Sequence, residues 1–283
     1  MQIGLGTATF GMAYGIANSG TMSIEEAFSI LSYAEQNGLT MLDTAQLYGD
    51  SEKVLGQYQG IKNFQIVSKL PSIAEFAHHR LVSDAEQSLM RLKIESLHAL
   101  LLHEPQDLLV EKGSENFDKL SQLKEQQLTR KIGVSVYTPQ QLSDIIDMFP
   151  IDIVQLPLNV FDQRFIQSGI LTKAKARGIE IHVRSVFLQG LLLMNTDQLP
   201  DHFIPFKTQI DDYFSAIKAK HIGKLTAALA FIAQQAEIDY SILGCCSRQQ
   251  VSEFLSALDN KPTIDYSSYA SNDESLIIPT NWN

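Results

Sequence analysis

Three polar residues each close a short apolar run, and their types suit proton transfer. Asp43 ends Gly38-Leu-Thr-Met-Leu-Asp43, Lys69 ends Phe64-Gln-Ile-Val-Ser-Lys69, and His103 ends Leu97-His-Ala-Leu-Leu-Leu-His103. Tyr48 follows five residues after Asp43, inside Asp43-Thr-Ala-Gln-Leu-Tyr48-Gly-Asp-Ser-Glu52. A tyrosine has a pKa near ~10 and is a weak acid at neutral pH. An adjacent ammonium favours the phenolate and lowers that value. Asp43 would keep Lys69 charged and in place, and His103 would hydrogen-bond the substrate oxygen. Such a set can protonate a carbonyl oxygen while hydride reaches the carbon. No side chain carries hydride, so a nicotinamide cofactor is implied.

Each of these residues also has an ordinary structural use. A single Asp at a strand end caps a loop, a single Lys is solvated, and a single His is a satisfied core residue. Their joint occurrence on three consecutive strand ends favours chemistry, because α/β barrels gather active sites at the carboxyl ends of their strands.

Strand-like and helical patterns alternate along the chain. Strands are expected at residues 2–5, 40–43, 64–69, 97–103, 131–136, 153–156, 179–183 and 240–243. Helices are expected at 23–37, from Ser51, and at 81–92, 115–126, 139–148, 165–177 and 249–258. Ser23 with Glu26 forms a capping-box pattern, and Pro139 sits in a first helical turn where its missing N–H is harmless. Between the last two strands a helical region over 206–235 breaks at His221-Ile-Gly223, adding one helix. Eight β-strands each followed by a helix imply parallel pairing with right-handed crossovers. The expected fold is therefore an α/β class (β/α)8 TIM barrel in a single domain over 1–283. It has an extra helix and a tail from about 259 docked on the barrel. A doubly wound sheet is the alternative. Gly4-Leu-Gly6-Thr-Ala-Thr-Phe-Gly11 lacks the phosphate-binding glycine spacing such a sheet would carry. The loop over 188–205 is a candidate substrate lid.

Composition narrows the functional classes. The 283 residues carry 22 basic and 32 acidic side chains, a formal net charge of −10, which argues against a nucleic-acid or anionic-membrane partner. No run reaches the ~18 apolar residues of a membrane span, and the N-terminus has no signal-peptide pattern, so a soluble cytoplasmic protein is expected. The two cysteines, Cys245 and Cys246, are neighbours and read as buried reduced thiols. His78-His79 reads as an exposed pair rather than a metal site. Zinc-hydrolase, nucleophile-elbow and P-loop patterns are absent. The single tryptophan, Trp282, lies in an apolar tail that docks either on the barrel wall or over the site.

From Ile3 to about Leu258 the chain resembles the aldo-keto reductase superfamily. The resemblance rests on Gly4-Leu-Gly-Thr-Ala-Thr-Phe-Gly, Leu42-Asp-Thr-Ala-Gln-Leu-Tyr-Gly-Asp-Ser-Glu, Val67-Ser-Lys, Ser88-Leu-Met-Arg-Leu, Leu101-Leu-His-Glu-Pro, Arg130-Lys-Ile-Gly-Val-Ser and Val154-Gln-Leu-Pro-Leu-Asn. It implies an NADPH-dependent reduction of an aldehyde or ketone, with NADH still open. Tyr48 would be the general acid, Lys69 and Asp43 would tune it, and His103 would orient the carbonyl. The run from Gly6 through Tyr14 to Asn18 resembles a bacterial branch linked to sugar or surface-polysaccharide metabolism. For the cofactor, the resemblance implies that Gln155 and Ser135 hold the nicotinamide carboxamide and that Arg184 takes the place of a stacking aromatic. A guanidinium there would favour reduced over oxidised nicotinamide. The stretch Leu243-Gly244-Cys-Cys-Ser247-Arg248-Gln-Gln would face the adenosine phosphate, with Arg248 as its cation. Gln250 and Phe254 depart from the family's Arg and Asn there. Two other readings share the fold: a cofactor-sensing or partner-binding barrel, and an isomerase or dehydratase without net redox change.

Overall fold

The computed structural model describes residues 1–15, 22–72, 81–259 and 262–282. Eight parallel strands close into a barrel in sequence order: β1 (Gln2–Gly6), β2 (Met41–Asp43), β3 (Gln65–Leu70), β4 (Leu97–Leu102), β5 (Thr129–Ser135), β6 (Ile153–Pro157), β7 (Glu180–Arg184) and β8 (Tyr240–Gly244). β8 closes on β1 with Leu5 opposite Leu243. The doubly wound alternative is excluded, because a closed ring leaves no sheet edge.

Alternation along each strand sorts the side chains. Met41, Val67, Ala99, Leu101, Ile153 and Ile242 form a separate apolar cluster inside the barrel. The intervening residues, such as Leu42, Ile66, Leu100 and Val154, join the larger core between strands and helices. Gly133 lies within this layering because a Cβ there would strike the Ile153 carbonyl of the adjoining strand.

The outer ring comprises α1 (Ile24–Gln36), α2 (Ser51–Leu55), α3 (Leu81–Leu92), α4 (Gly113–Glu125), α5 (Pro139–Met148), α6 (Ile170–Ala176), α7 (Lys207–Ala219), α8 (Lys224–Ala233) and α9 (Arg248–Asp259). Ser23 Oγ accepts from the Glu26 amide, and Thr138 with Gln141 completes a capping box on α5. α7 and α8 are the two pieces expected from one helical region. They part at His221, whose φ of 56° cannot continue a helix.

Three expectations need correction. The helix over 165–177 is two pieces, Arg164–Gln167 and α6, because Gly169 adopts a φ of 71° between them. α4 starts at Gly113, ahead of the expected 115. The loop over 188–205 carries 3-10 turns at Leu188–Leu193, Thr196–Gln198 and Asp201–Phe206, the first interrupted by the left-handed angles of Gln189 and Gly190. His78-His79 falls outside the described residues, as do Ile16 to Asn18 of the glycine-rich run.

The C-terminal segment makes specific contacts. Tyr266 Oη donates to the Ala227 carbonyl, Gln163 Nε2 donates to the Tyr266 carbonyl, and Leu276 and Ile277 are buried. Trp282 packs edge-on against Phe203 at 4.8 Å, in the segment after β7, and does not line the cavity described below. Among the described residues no helix is long and apolar enough to cross a membrane.

Glu180, on β7, anchors a polar cluster at the barrel's amino end. Its carboxylate meets His98 and His182 at 2.9 Å each, and Lys131 as well. Burial works against the carboxylate, but the hydrogen bonds from His182, His98 and Lys131 outweigh it and hold its pKa far below the ordinary ~4.3. A depressed carboxylate adds stability that is complete at neutral pH and drains away as pH falls through the acid range. Glu180→Gln should therefore cost about 2 kcal/mol near pH ~7, by the loss of charged hydrogen bonds. The gap in melting temperature from wild type should narrow below pH ~4. Circular-dichroism melts at the two pH values measure it, and a pH-independent gap would contradict the assignment.

Candidate active site

The inner layer of the barrel extends into the site by one step of two residues on each strand. Beyond Met41, Val67, Leu101, Gly133, Ile153 and His182 on the inward face come Asp43, Lys69, His103, Ser135, Gln155 and Arg184. Strand pairing sets Ser135 beside Gln155, and Pro157 beside Arg184. Side chains two apart share a face of a strand, so six polar groups converge above one apolar plug.

Lys69 is almost fully enclosed, at 1% exposure. Its Nζ lies 2.7 and 2.6 Å from the two Asp43 oxygens, 3.1 Å from the Thr44 carbonyl and 3.4 Å from Tyr48 Oη. Gln155 Nε2 donates to Asp43 Oδ1 at 2.7 Å. The ring of His103 meets that of Tyr48 edge-on, centroids 6.2 Å apart. The structure thus brings Asp43, Tyr48, Lys69 and His103 together. β4 ends at Leu102, one residue short of His103, whose amide still donates to the Leu70 carbonyl at 3.0 Å.

The electrostatics differ from the expected Lys–Tyr pairing. Burial pushes the Tyr48 phenol well above its ordinary value, and the Asp43 carboxylate adds to the rise. Burial also lowers Lys69, and Asp43 opposes that. Because Asp43 takes up most of the ammonium's charge, Tyr48 is a held phenol rather than a poised phenolate. His103 is pushed down to about 4 by burial and by the Lys69 and Arg184 charges, so its ring is neutral at physiological pH. Its Nδ1 is buried and unpartnered.

The loop from β2 to α2 is what delivers Tyr48, and it is held from several sides. The Thr7 amide and hydroxyl both donate to the Asp43 carbonyl at 2.9 Å. Ser51 Oγ lies 2.8 Å from Thr7 Oγ1 and 3.0 Å from Thr44 Oγ1, and donates to the Thr7 carbonyl. Buried Glu52 accepts from Ser68 at 2.6 Å and pairs with Arg91 at 2.7 Å. Gly11 lies flush against this loop: a Cβ there would sit on the Tyr48 carbonyl oxygen and the Ser51 nitrogen. The glycine-rich run after β1 therefore serves close approach to the Tyr48 loop.

A cavity of about 230 Å³ opens above these groups. Asp43, Tyr48, Gln155, Arg184 and Gly244 line it, together with Thr9, Tyr14, Ser185, Phe187, Gln189, Cys246 and Gln250. The expected lid segment thus supplies part of the wall through Gln189, Gly190 and Leu193. Sequence reasoning missed Tyr14, Phe187 and Gln189. Their signal was only their position in the loops after β1 and β7. Cys245 is buried and its thiol is pushed up to about 12, whereas Cys246 is half-buried at the wall, contrary to the expectation that both are buried.

Two expected cofactor contacts are not among the residues lining this cavity. Arg248 is exposed and its guanidinium sits over the Tyr33 ring of α1 at 4.6 Å, outside the cavity lining. Ser247 Oγ accepts the Gln250 amide at 3.2 Å, so it caps α9 and does not line the cavity. Gln155, expected to bind a carboxamide, already spends its amide group on Asp43. Its Oε1 and the neighbouring Ser135 Oγ are buried without partners.

Residues 2–276 match the Aldo/keto reductase family, and the chain belongs to it. This match runs past Leu258, where the sequence resemblance was traced. Relatives include the aldo-keto reductase YhdN of Bacillus subtilis, 26% identical over 76% of this chain and 70% of that protein. The methylglyoxal reductase DkgB of Salmonella typhimurium is 25% identical over 82% of each chain. In fold, an aldo-keto reductase from Bacillus halodurans in its holo form superposes with a TM-score of 0.78 at 16% identity, over 99% of this chain and 94% of that one.

Gly11→Ala should displace the Tyr48 loop. A shift near ~1 Å at a reacting group costs about 100-fold in rate. We expect a loss of that order in turnover of a reactive aldehyde, with a cooperative melt retained. Unchanged turnover would show that the loop absorbs the methyl without moving Tyr48.

Proposed function

We propose that this protein is a nicotinamide-dependent carbonyl reductase in which Tyr48 donates the proton. The observation that carries the reading is the 3.4 Å contact of Lys69 Nζ with Tyr48 Oη at the floor of a cavity, with Asp43 holding the lysine. A reduced nicotinamide, when bound, supplies hydride to the carbonyl carbon. The buried, unpartnered Gln155 Oε1 and Ser135 Oγ fit its carboxamide, since a buried acceptor and hydroxyl left unmade cost about 1–3 kcal/mol each. NADPH is the cofactor the family resemblance favours, with NADH use left open.

The chain's own groups then have defined tasks. Tyr48 Oη gives its proton to the carbonyl oxygen, and the nearby Lys69 ammonium stabilises the phenolate left behind. Asp43, fixed by Lys69 and Gln155, keeps that ammonium in place. Neutral His103 offers a ring nitrogen for a hydrogen bond to the substrate oxygen, which positions the carbonyl against the phenol. Excluding water strengthens each of these interactions. A methylglyoxal reductase among the relatives supports a small aldehyde or ketone as substrate, with sugars as the class the bacterial-branch resemblance adds.

Tyr48→Phe should keep cofactor binding and lower kcat about 1,000-fold, the scale of lost general-acid catalysis. Loss of reduced-nicotinamide absorbance with a panel of aldehydes measures it. Since Tyr48 is held protonated and His103 is neutral above about 4, kcat for reduction should show no break near the ordinary imidazole pKa of ~6.5, and an alkaline fall would report the lowered Lys69 or the raised Tyr48. A break near the ordinary imidazole value would show that charged His103 takes part. Wild-type activity surviving in Tyr48→Phe would end the reading.

A further inference from the structure

Among the described residues, no carboxylate pairs with the charge on Arg184. It follows β7's inward-facing His182 and lines the cavity with Tyr48 and Asp43. One face of the guanidinium covers the Tyr137 ring at 4.4 Å. Tyr137 is itself held by Arg164, whose Nη2 donates to its carbonyl at 3.2 Å while Asp162 grips the same arginine at 2.8 and 2.9 Å. Among the described residues, the rest of Arg184 has two long contacts, 3.4 Å to the Val136 carbonyl and 3.5 Å to Ser185 Oγ. An arginine has five donors in a rigid fork. Most of these are therefore unspent.

The other partly buried arginines among the described residues each have an acid partner. Arg91 faces Glu52 at 2.7 Å and Arg164 faces Asp162 at 2.8 Å. Among the described residues that line the cavity, Asp43 is the sole carboxylate, and Lys69 and Gln155 occupy its oxygens. Lys69 and Asp43 cancel, so the cavity holds one net positive charge in a protein whose overall formal charge is −10. A stacked guanidinium with a free edge is suited to grip two anionic oxygens at once.

We propose that Arg184 is an anion-binding residue, and that the carbonyl substrate bears a carboxylate or phosphate which it takes. This rests on the reductase reading for the carbonyl, but the anion site itself is open to separate measurement. The same chemistry could come from a phosphate of the cofactor, and the experiment separates the two sources.

Calorimetric binding of para-carboxybenzaldehyde and of its neutral analogue para-formylbenzamide should be compared in the wild type, Arg184→Gln and Arg184→Lys. The wild type should hold the carboxylate at least about 10-fold tighter than the amide, the scale of one charge-assisted hydrogen bond. Arg184→Gln should abolish that preference, Arg184→Lys should keep part of it, and in the Gln variant the Kd for NADPH should rise by a smaller factor than the Kd for the carboxylate. Equal binding of the two aldehydes by the wild type, or no binding of either, overturns the proposal. So does a loss of NADPH affinity in Arg184→Gln that matches the loss for the carboxylate, which would assign the arginine to the cofactor's phosphate. Should the preference appear without turnover of either aldehyde, the anion site stands and the reductase reading falls.

Discussion

The buried ion pair of Asp43 and Lys69 is the constraint on which the rest of the site depends. Removing two charges from water costs several kcal/mol per ion, and only close, saturated geometry offsets it. Here that geometry comes from three strands: the lysine from β3, the carboxylate from β2 and a third donor, Gln155, from β6. Loss of either charge would leave its partner buried and uncompensated, at about 3–5 kcal/mol. The barrel must therefore be closed and in register for the pair to exist. In turn, the pair fixes where an ammonium can meet the Tyr48 phenol.

That constraint reshapes the expected chemistry of the phenol. Taken as isolated groups, a lysine beside a tyrosine should make a better acid. In the folded chain Asp43 balances the lysine and burial disfavours the phenolate, so Tyr48 keeps its proton until something draws it away. The same enclosure neutralises His103. What results is a site that holds a proton in place and has one spare positive charge, on Arg184, facing the space where a ligand would lie.

Much of this arrangement was legible because barrel strands obey a period of two. Asp43, Lys69 and His103 each lie two residues beyond an apolar residue that the barrel interior needs, and the same step leads to Ser135, Gln155 and Arg184. Ser23, Thr138 and Pro139 marked helix starts for local reasons. Local signals failed where a single backbone angle or a distant neighbour decided the outcome. Gly169 divides one apolar periodicity into two helices through its own left-handed conformation. The placement of the Arg248 guanidinium over the Tyr33 ring of α1 likewise depends on a neighbour distant in the chain.

Sequence alone determined the eightfold alternation and the polar residues ending β2, β3 and β4, and its motifs carried the resemblance to the family, because periodicity, residue type and motif are properties of the chain itself. Tertiary structure decided which charges cancel and which do not. Gln155 steadies a carboxylate, the Arg248 guanidinium lies over the Tyr33 ring, and among the described residues no acid pairs with Arg184. Those outcomes depend on distances between residues far apart in the chain, and electrostatic energy in a buried site varies with exactly those distances and with the water excluded around them.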